Sequence, residues 1–146
     1  MKYLLLVSHG EFSKGLKNSL SMFAADKIDD VIAVGLKKGE SVDQLADRFA
    51  KQLAALDKNA DFLVLGDMIG GSPLTTICNV LAQHGLLETA TILGGMNFPM
   101  ALNAIMLKDS LNGDNLVETV LNEAKSALKE FKPRIAGDED DDEEEI

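Results

Sequence analysis

Four short apolar runs, Tyr3–Val7, Val31–Val34, Phe62–Leu65 and Ala90–Leu93, constrain this chain more than any other feature. They are nearly unbroken rather than alternating. That is the pattern of strands buried on both faces, and such strands need a layer of helices on each side. Helical patterns fall between them. Phe12, Leu16, Leu20 and Phe23 share one face of a first helix. Val42, Leu45, Ala46, Phe49 and Leu53 form the stripe of a second, opened by Ser41 and Gln44 as a capping box. Ser72 and Pro73 read as the N-cap and first residue of a third helix through Leu74, Ile77 and Leu81, ended by Gly85. A fourth helix follows Pro99, and a fifth runs from near Asp114 through Val117, Val120, Leu121, Ala124 and Leu128.

Each strand–helix unit spans roughly 30 residues, the size of a βαβ repeat. The predicted fold is therefore α/β, three layers with a mainly parallel sheet. Right-handed crossovers leave few topologies, and the flavodoxin-like order 2-1-3-4 is the one expected. Strands 1 and 3 are then neighbours from which the chain departs to opposite faces. Ligands bind at such a switch point, beyond the carboxyl ends of the strands.

Composition narrows the class. The 146 residues suit one domain with a real core, and 46% are hydrophobic, normal for a globular chain. No apolar run approaches the ~20 residues of a membrane span. Met1–Val7 is too short for a secretory signal, and Ser8-His9-Gly10-Glu11 ends it without a small-residue cleavage site. A buried strand and a cytoplasmic protein are expected. A single cysteine, Cys78, excludes an internal disulfide and fits a reducing compartment. The net charge of −10 is concentrated in eight acids at Asp138–Glu145; without them 16 acids face 14 bases, a net of −2. The expected division is a domain over residues 1–136 and a disordered acidic tail over 137–146. No basic stripe or aromatic platform suggests nucleic acid.

The switch point selects two loops. Strand 1 ends at Ser8-His9-Gly10. Strand 3 ends at Gly66-Asp67, followed by Met68-Ile69-Gly70-Gly71-Ser72-Pro73. The fold brings His9 and Asp67 together across 58 positions of sequence. A carboxylate accepting from Nδ1–H fixes the imidazole tautomer and leaves Nε2 as a nucleophile. Gly70, Gly71 and Ser72 open a helix N-terminus, where backbone amides bind phosphate. Asn97, after strand 4, is a candidate for the rim. Each residue also has a structural reading. His9 fits a strand-end packing residue, Asp67 a turn cap, Ser72 an N-cap, and Gly70-Gly71 plain turn geometry. His84 beside Gly85 reads as a helix-terminal histidine, and Cys78, with no metal-spaced partner, as packing.

Three segments carry a family resemblance. Leu5-Leu6-Val7-Ser8-His9-Gly10 resembles the amino-terminal active-site strand of IIA components of the mannose/fructose/sorbose-type sugar phosphotransferase system. Gly66-Asp67-Met68-Ile69-Gly70-Gly71-Ser72-Pro73 resembles that family's second motif, and Gly94-Gly95-Met96-Asn97-Phe98-Pro99-Met100 its third. The similarity covers about residues 1–132. It implies a phosphotransferase with a covalent phosphohistidine on His9, partnered by Asp67, and needing neither cofactor nor metal. It implies the histidine-containing phosphocarrier protein as donor and a IIB protein as acceptor, with the membrane IIC and IID subunits engaged indirectly. It also implies a homodimer that exchanges an antiparallel edge strand, here from about Phe131–Ile135, a weak strand pattern containing Pro133. Many relatives continue into a IIB domain, and the acidic end here implies a separate IIB polypeptide. Met68-Ile69 stands where relatives often carry Thr-Trp.

Other classes remain open on the residues alone. A hydrolase would use His9, Asp67 and Ser72 as a triad, although Ser72 is not in a G-x-S-x-G elbow. The phosphotransfer subunit of a dihydroxyacetone kinase shares an early histidine. A nucleotide- or flavin-binding module would need a P-loop or G-x-G-x-x-G, and neither is present.

Overall fold

The computed structural model describes residues 1–135. The acidic segment 137–146 lies outside the described residues. Among the described residues four parallel strands, β1 (Lys2–His9), β2 (Val31–Leu36), β3 (Asp61–Gly66) and β4 (Thr91–Gly94), form one sheet in the order β2-β1-β3-β4. Leu6 of β1 lies between Ala33 of β2 and Leu65 of β3, and Leu65 faces Leu93 of β4. The sequence-derived order is thus the observed one. The strands extend past the apolar runs by up to two residues at an end, which places His9 and Gly66 in ladders.

Among the described residues five α-helices flank the sheet: α1 (Phe12–Leu20), α2 (Val42–Ala54), α3 (Ser72–Gln83), α4 (Phe98–Leu107) and α5 (Gly113–Ser126). Successive strand side chains point to opposite faces. Leu4, Leu6, Leu63, Leu65 and Leu93 therefore pack with Leu16 and Leu20 of α1, Ala101 and Ile105 of α4, and Leu116 and Val120 of α5. Leu5, Val7, Val34, Phe62 and Val64 pack with Leu45 and Phe49 of α2 and Ile77 and Leu81 of α3. Each run is unbroken because both faces are covered. The chain leaves β1 toward one layer, through α1, and leaves β3 toward the other, through α3. That is the switch point.

Local signals explain the helix ends. Ser41 and Gln44 form the capping box of α2. Asn97 caps α4 by accepting from the Met100 amide at 2.8 Å. Gly85 adopts a left-handed φ of 71° after α3, and His84 Nδ1 donates to the Val80 carbonyl at 2.9 Å, a helix-terminal role. Burial pushes the Cys78 thiol pKa up, which suits packing rather than reactivity.

Four details depart from the sequence reading. Helix α1 stops at Leu20, so Phe23 lies beyond it, 54% exposed and tilted against the Phe98 ring with centroids 5.3 Å apart. Together with Phe12, Met22 and Phe98 it lines an open apolar groove of about 580 Å³. A 3-10 turn over Ala25–Asp30, too polar to show periodicity, leads into β2. The N-cap of α3 is Gly71 rather than Ser72, which is the first helical residue, with Pro73 second. Residues 131–135 belong to no helix or strand, and Phe131 and Ile135 are exposed. Among the described residues nothing pairs with the outer edge of β4.

Candidate active site

His9 closes β1, and its neighbours fix it before its ring meets any partner. Ser8 is fully buried and its Oγ accepts from the Ser13 amide at 2.8 Å, tying the start of α1 to the strand end. Gly10 turns with a φ of 58° and donates to the Leu36 carbonyl at 2.8 Å, so the loop lies across the end of β2. That crossing needs Gly35, since a Cβ there would collide with the Gly10 carbonyl. The ends of three strands therefore fix where the His9 ring stands.

Asp67 follows β3 and donates its amide to the Val7 carbonyl at 3.0 Å. Its Oδ2 accepts from the His9 backbone N–H at 2.9 Å and from His9 Nδ1 at 3.0 Å. A carboxylate only accepts, so Nδ1 carries the hydrogen, and in the neutral ring Nε2 holds the lone pair. The His9 side chain is 49% exposed against 17% for Asp67, so the pair stands open to solvent on the imidazole side only. Asp67 Oδ1 is buried without a hydrogen-bond partner. A carboxylate with one oxygen doubly occupied and the other unpaired is directed at His9 rather than shared among structural donors.

The ring edge that carries Nε2 faces Gly71. A Cβ on Gly71 would stand 3.0 Å from His9 Cε1 and 3.6 Å from Nε2. Glycine there keeps the nucleophilic edge uncovered. Gly70 reaches Gly71 through a φ of 88°, and α3 begins with no side-chain cap. The amides of a helix's first turn lack intrahelical acceptors, and Pro73 contributes none. An uncapped helix start beside a histidine nitrogen suits an anion.

The structure thus brings together His9, Asp67, Gly70, Gly71 and the first turn of α3. Ser72 Oγ makes no hydrogen bond to His9, so the triad reading gains no contact. Asn97 has its Oδ1 engaged in capping α4. Sequence reasoning missed Ser8 and Gly35. A serine just before a helical pattern is a readable signal for Ser8, whereas Gly35 is explained only by the Gly10 carbonyl. Among the described residues no group of acidic, histidine and cysteine side chains is arranged to hold a metal, and no helix is long and apolar enough to cross a membrane.

Comparison with known proteins identifies the family. Residues 3–121 match the model of the family described as PTS system fructose IIA component. The chain is 27% identical over 108 residues to the fructose-specific EIIA component of Bacillus subtilis, covering 74% of this chain and 71% of that protein. It is 24% identical over 132 residues to the mannose-specific EIIAB component of Escherichia coli, 90% of this chain but 40% of that protein's length. The solved mannose/sorbose-specific IIA subunit of Enterococcus faecalis superposes with a TM-score of 0.73 at 26% identity, covering 93% of this chain and all of that one (100%). A match over most of the chain, with the same fold, makes this protein a member of the mannose-type EIIA family, a component of the sugar phosphotransferase system.

Proposed function

We propose that this chain is a phosphohistidine carrier that accepts a phosphoryl group on His9 Nε2 and passes it on. The observation that carries the reading is the His9–Asp67 contact: Nδ1–H held at 3.0 Å, with Nε2 left free beside Gly71. In the transfer the Nε2 lone pair attacks phosphorus as the donor's N–P bond breaks. The donor keeps the electron pair of that bond. Nδ1 retains its proton, so the phosphorylated ring is cationic, and its charge faces the Asp67 carboxylate. Phosphoryl transfer needs positioning and charge stabilisation more than covalent help from the protein. Asp67 meets the ring, and the amides of Gly70 and Ser72 meet the phosphoryl oxygens, joined by that of Gly71 once it leaves its long 3.4 Å bond to the Met68 carbonyl.

The donor in this reading is the histidine-containing phosphocarrier protein, and the acceptor is a IIB protein, which passes phosphate to sugar at the membrane subunits. The protein works in the cytoplasm as a homodimer. The open outer edge of β4 is where a strand from a second subunit, drawn from about residues 131–135, would add.

The test is reconstitution with phosphoenolpyruvate and the general phosphotransfer proteins of the system. The intact mass rises by one phosphoryl group, labile in acid and stable in base, and phosphorus NMR assigns it to Nε2. A His9→Ala protein that still takes phosphate, or label on Ser72, overturns the reading.

A further inference from the structure

Gly66 and Gly94 are register partners on the neighbouring strands β3 and β4. Register partners in a parallel pair present the same face, here the one covered by α3. The two glycines are therefore adjacent gaps in one sheet surface. Both are filled by the segment that carries the site. Leu74, in the first turn of α3, sits over Gly66, with Cδ2 and Cδ1 at 2.7 and 3.0 Å from where a Cβ would stand. Ile69 sits over Gly94, its Cγ1 in the place a Cβ would take. Between Ile69 and Leu74 lie Gly70, Gly71, Ser72 and Pro73, with Gly71 against the His9 ring.

Ile69 is 77% exposed, so burial does little to hold it. Shape holds it: its Cγ1 arm occupies a gap that only glycine leaves. We propose that Gly94, through Ile69, is a positioning residue for phosphoryl transfer. The glycine notch sets how far the Gly70 and Gly71 backbone stands from His9 Nε2. This rests on the phosphocarrier reading of His9. Gly94 itself touches neither the imidazole nor the phosphoryl group.

A Cβ at position 94 would evict the Cγ1 arm, yet it would stand 3.5 Å from the Ile69 Cβ, an ordinary contact. The notch therefore makes a coupled prediction. Gly94→Ala slows single-turnover transfer about tenfold, part of the ~10²-fold that a misplacement of about 1 Å can cost. It also shifts the Gly70 and Gly71 amide and His9 ring signals in NMR spectra. In an Ile69→Ala background the same substitution changes neither rate nor spectrum, because nothing is left to evict. Ile69→Ala alone, at an exposed position that does not burden folding, slows transfer severalfold and moves the same amide signals.

Gly94→Ala at the unsubstituted rate with unmoved signals overturns the proposal. So does an equal loss in both backgrounds, which would place the effect in β4 itself. Ile69→Ala with no effect on rate or spectrum does the same, and decides the matter if Gly94→Ala does not fold. Should the unsubstituted protein take no phosphate on His9, the phosphocarrier reading fails separately. The coupled amide shifts then still decide whether the notch positions the loop.

Discussion

The two ends of the sheet each hold a nitrogen donor against a carboxylate, and the contrast shows what distinguishes a site from a brace. At the amino end of the strands, Lys108 follows α4 with its side chain 1% exposed. Its Nζ donates to the Lys2 carbonyl at 2.8 Å, to Asp30 at 2.9 Å and to Asp109 at 3.0 Å. An ammonium has three hydrogens, and all three are used. At the carboxyl end, His9 leaves Nε2 without a hydrogen bond on a half-exposed ring, and Asp67 Oδ1 has no partner. Complete satisfaction ties β1, the 3-10 turn and α4 together and leaves nothing with which to react. Incomplete satisfaction, at an open strand end beside a helix start, leaves a nucleophile. A buried charge is therefore the weaker pointer to function here, and the half-open pair the stronger.

His9→Ala and Lys108→Ala should separate the two ends. The first abolishes phosphate uptake and leaves the melting temperature unchanged, since an exposed side chain is lost. The second lowers stability by about 3 kcal/mol, the low end for a broken buried pair, because Asp30 and Asp109 stay within reach of water. For a chain of this size that is a fall in melting temperature on the order of 10 °C. Transfer by folded Lys108→Ala protein stays at the unsubstituted rate. Lost transfer there would break the comparison, and it is read from thermal scans and single-turnover assays on the same samples.

Asp67→Asn sharpens the carboxyl end. The amide keeps the shape but loses the charge that faces the phosphorylated ring, and it allows the other tautomer. Transfer slows on the order of tenfold or more, with the fold intact by circular dichroism. An unchanged rate would reduce Asp67 to a structural cap of the His9 backbone N–H.

The smallest effect concerns a brace that stands at the carboxyl end itself. Arg48 donates to both Glu40 oxygens and to the Gly35 carbonyl, beside the Gly10 crossing. The Arg48 hydrogen bonds, then the Lys37 amide, hold the Glu40 pKa down to about 2 from 4.5. A depressed carboxyl pKa stabilises the folded state above the unfolded value and ceases to do so as pH falls through the folded one. Unsubstituted protein therefore melts above Glu40→Gln at pH 7, and the gap closes between pH about 4.5 and about 2. A gap constant over that window would show that the carboxylate charge contributes nothing.

The features legible in the sequence were those written in local pattern. Unbroken apolar runs gave buried strands, and Ser41 with Gln44 gave a cap. From strand order alone followed the meeting of His9 and Asp67, because a switch point is a consequence of topology. Lys108 was not legible: its partners Lys2 and Asp30 stand 106 and 78 residues away, and a lysine ending a helix otherwise reads as solvent-facing. Gly35 and Gly94 were equally silent. A glycine's missing Cβ has meaning only once the atom that fills the space, the Gly10 carbonyl or the Ile69 Cγ1, is in place. The cap of α3 was misplaced by one residue, since Ser72 and Gly71 both suit a helix start and only backbone dihedrals separate them.

By itself the sequence determined a doubly covered parallel sheet with His9 and Asp67 at its switch point, because periodicity and crossover handedness act over tens of residues. Only the tertiary structure decided which carboxylate oxygen holds Nδ1, that the same oxygen also takes the His9 backbone N–H, and which glycine leaves the other nitrogen open. Those are matters of about an ångström between groups far apart in sequence, set by the packing of strand ends against one another.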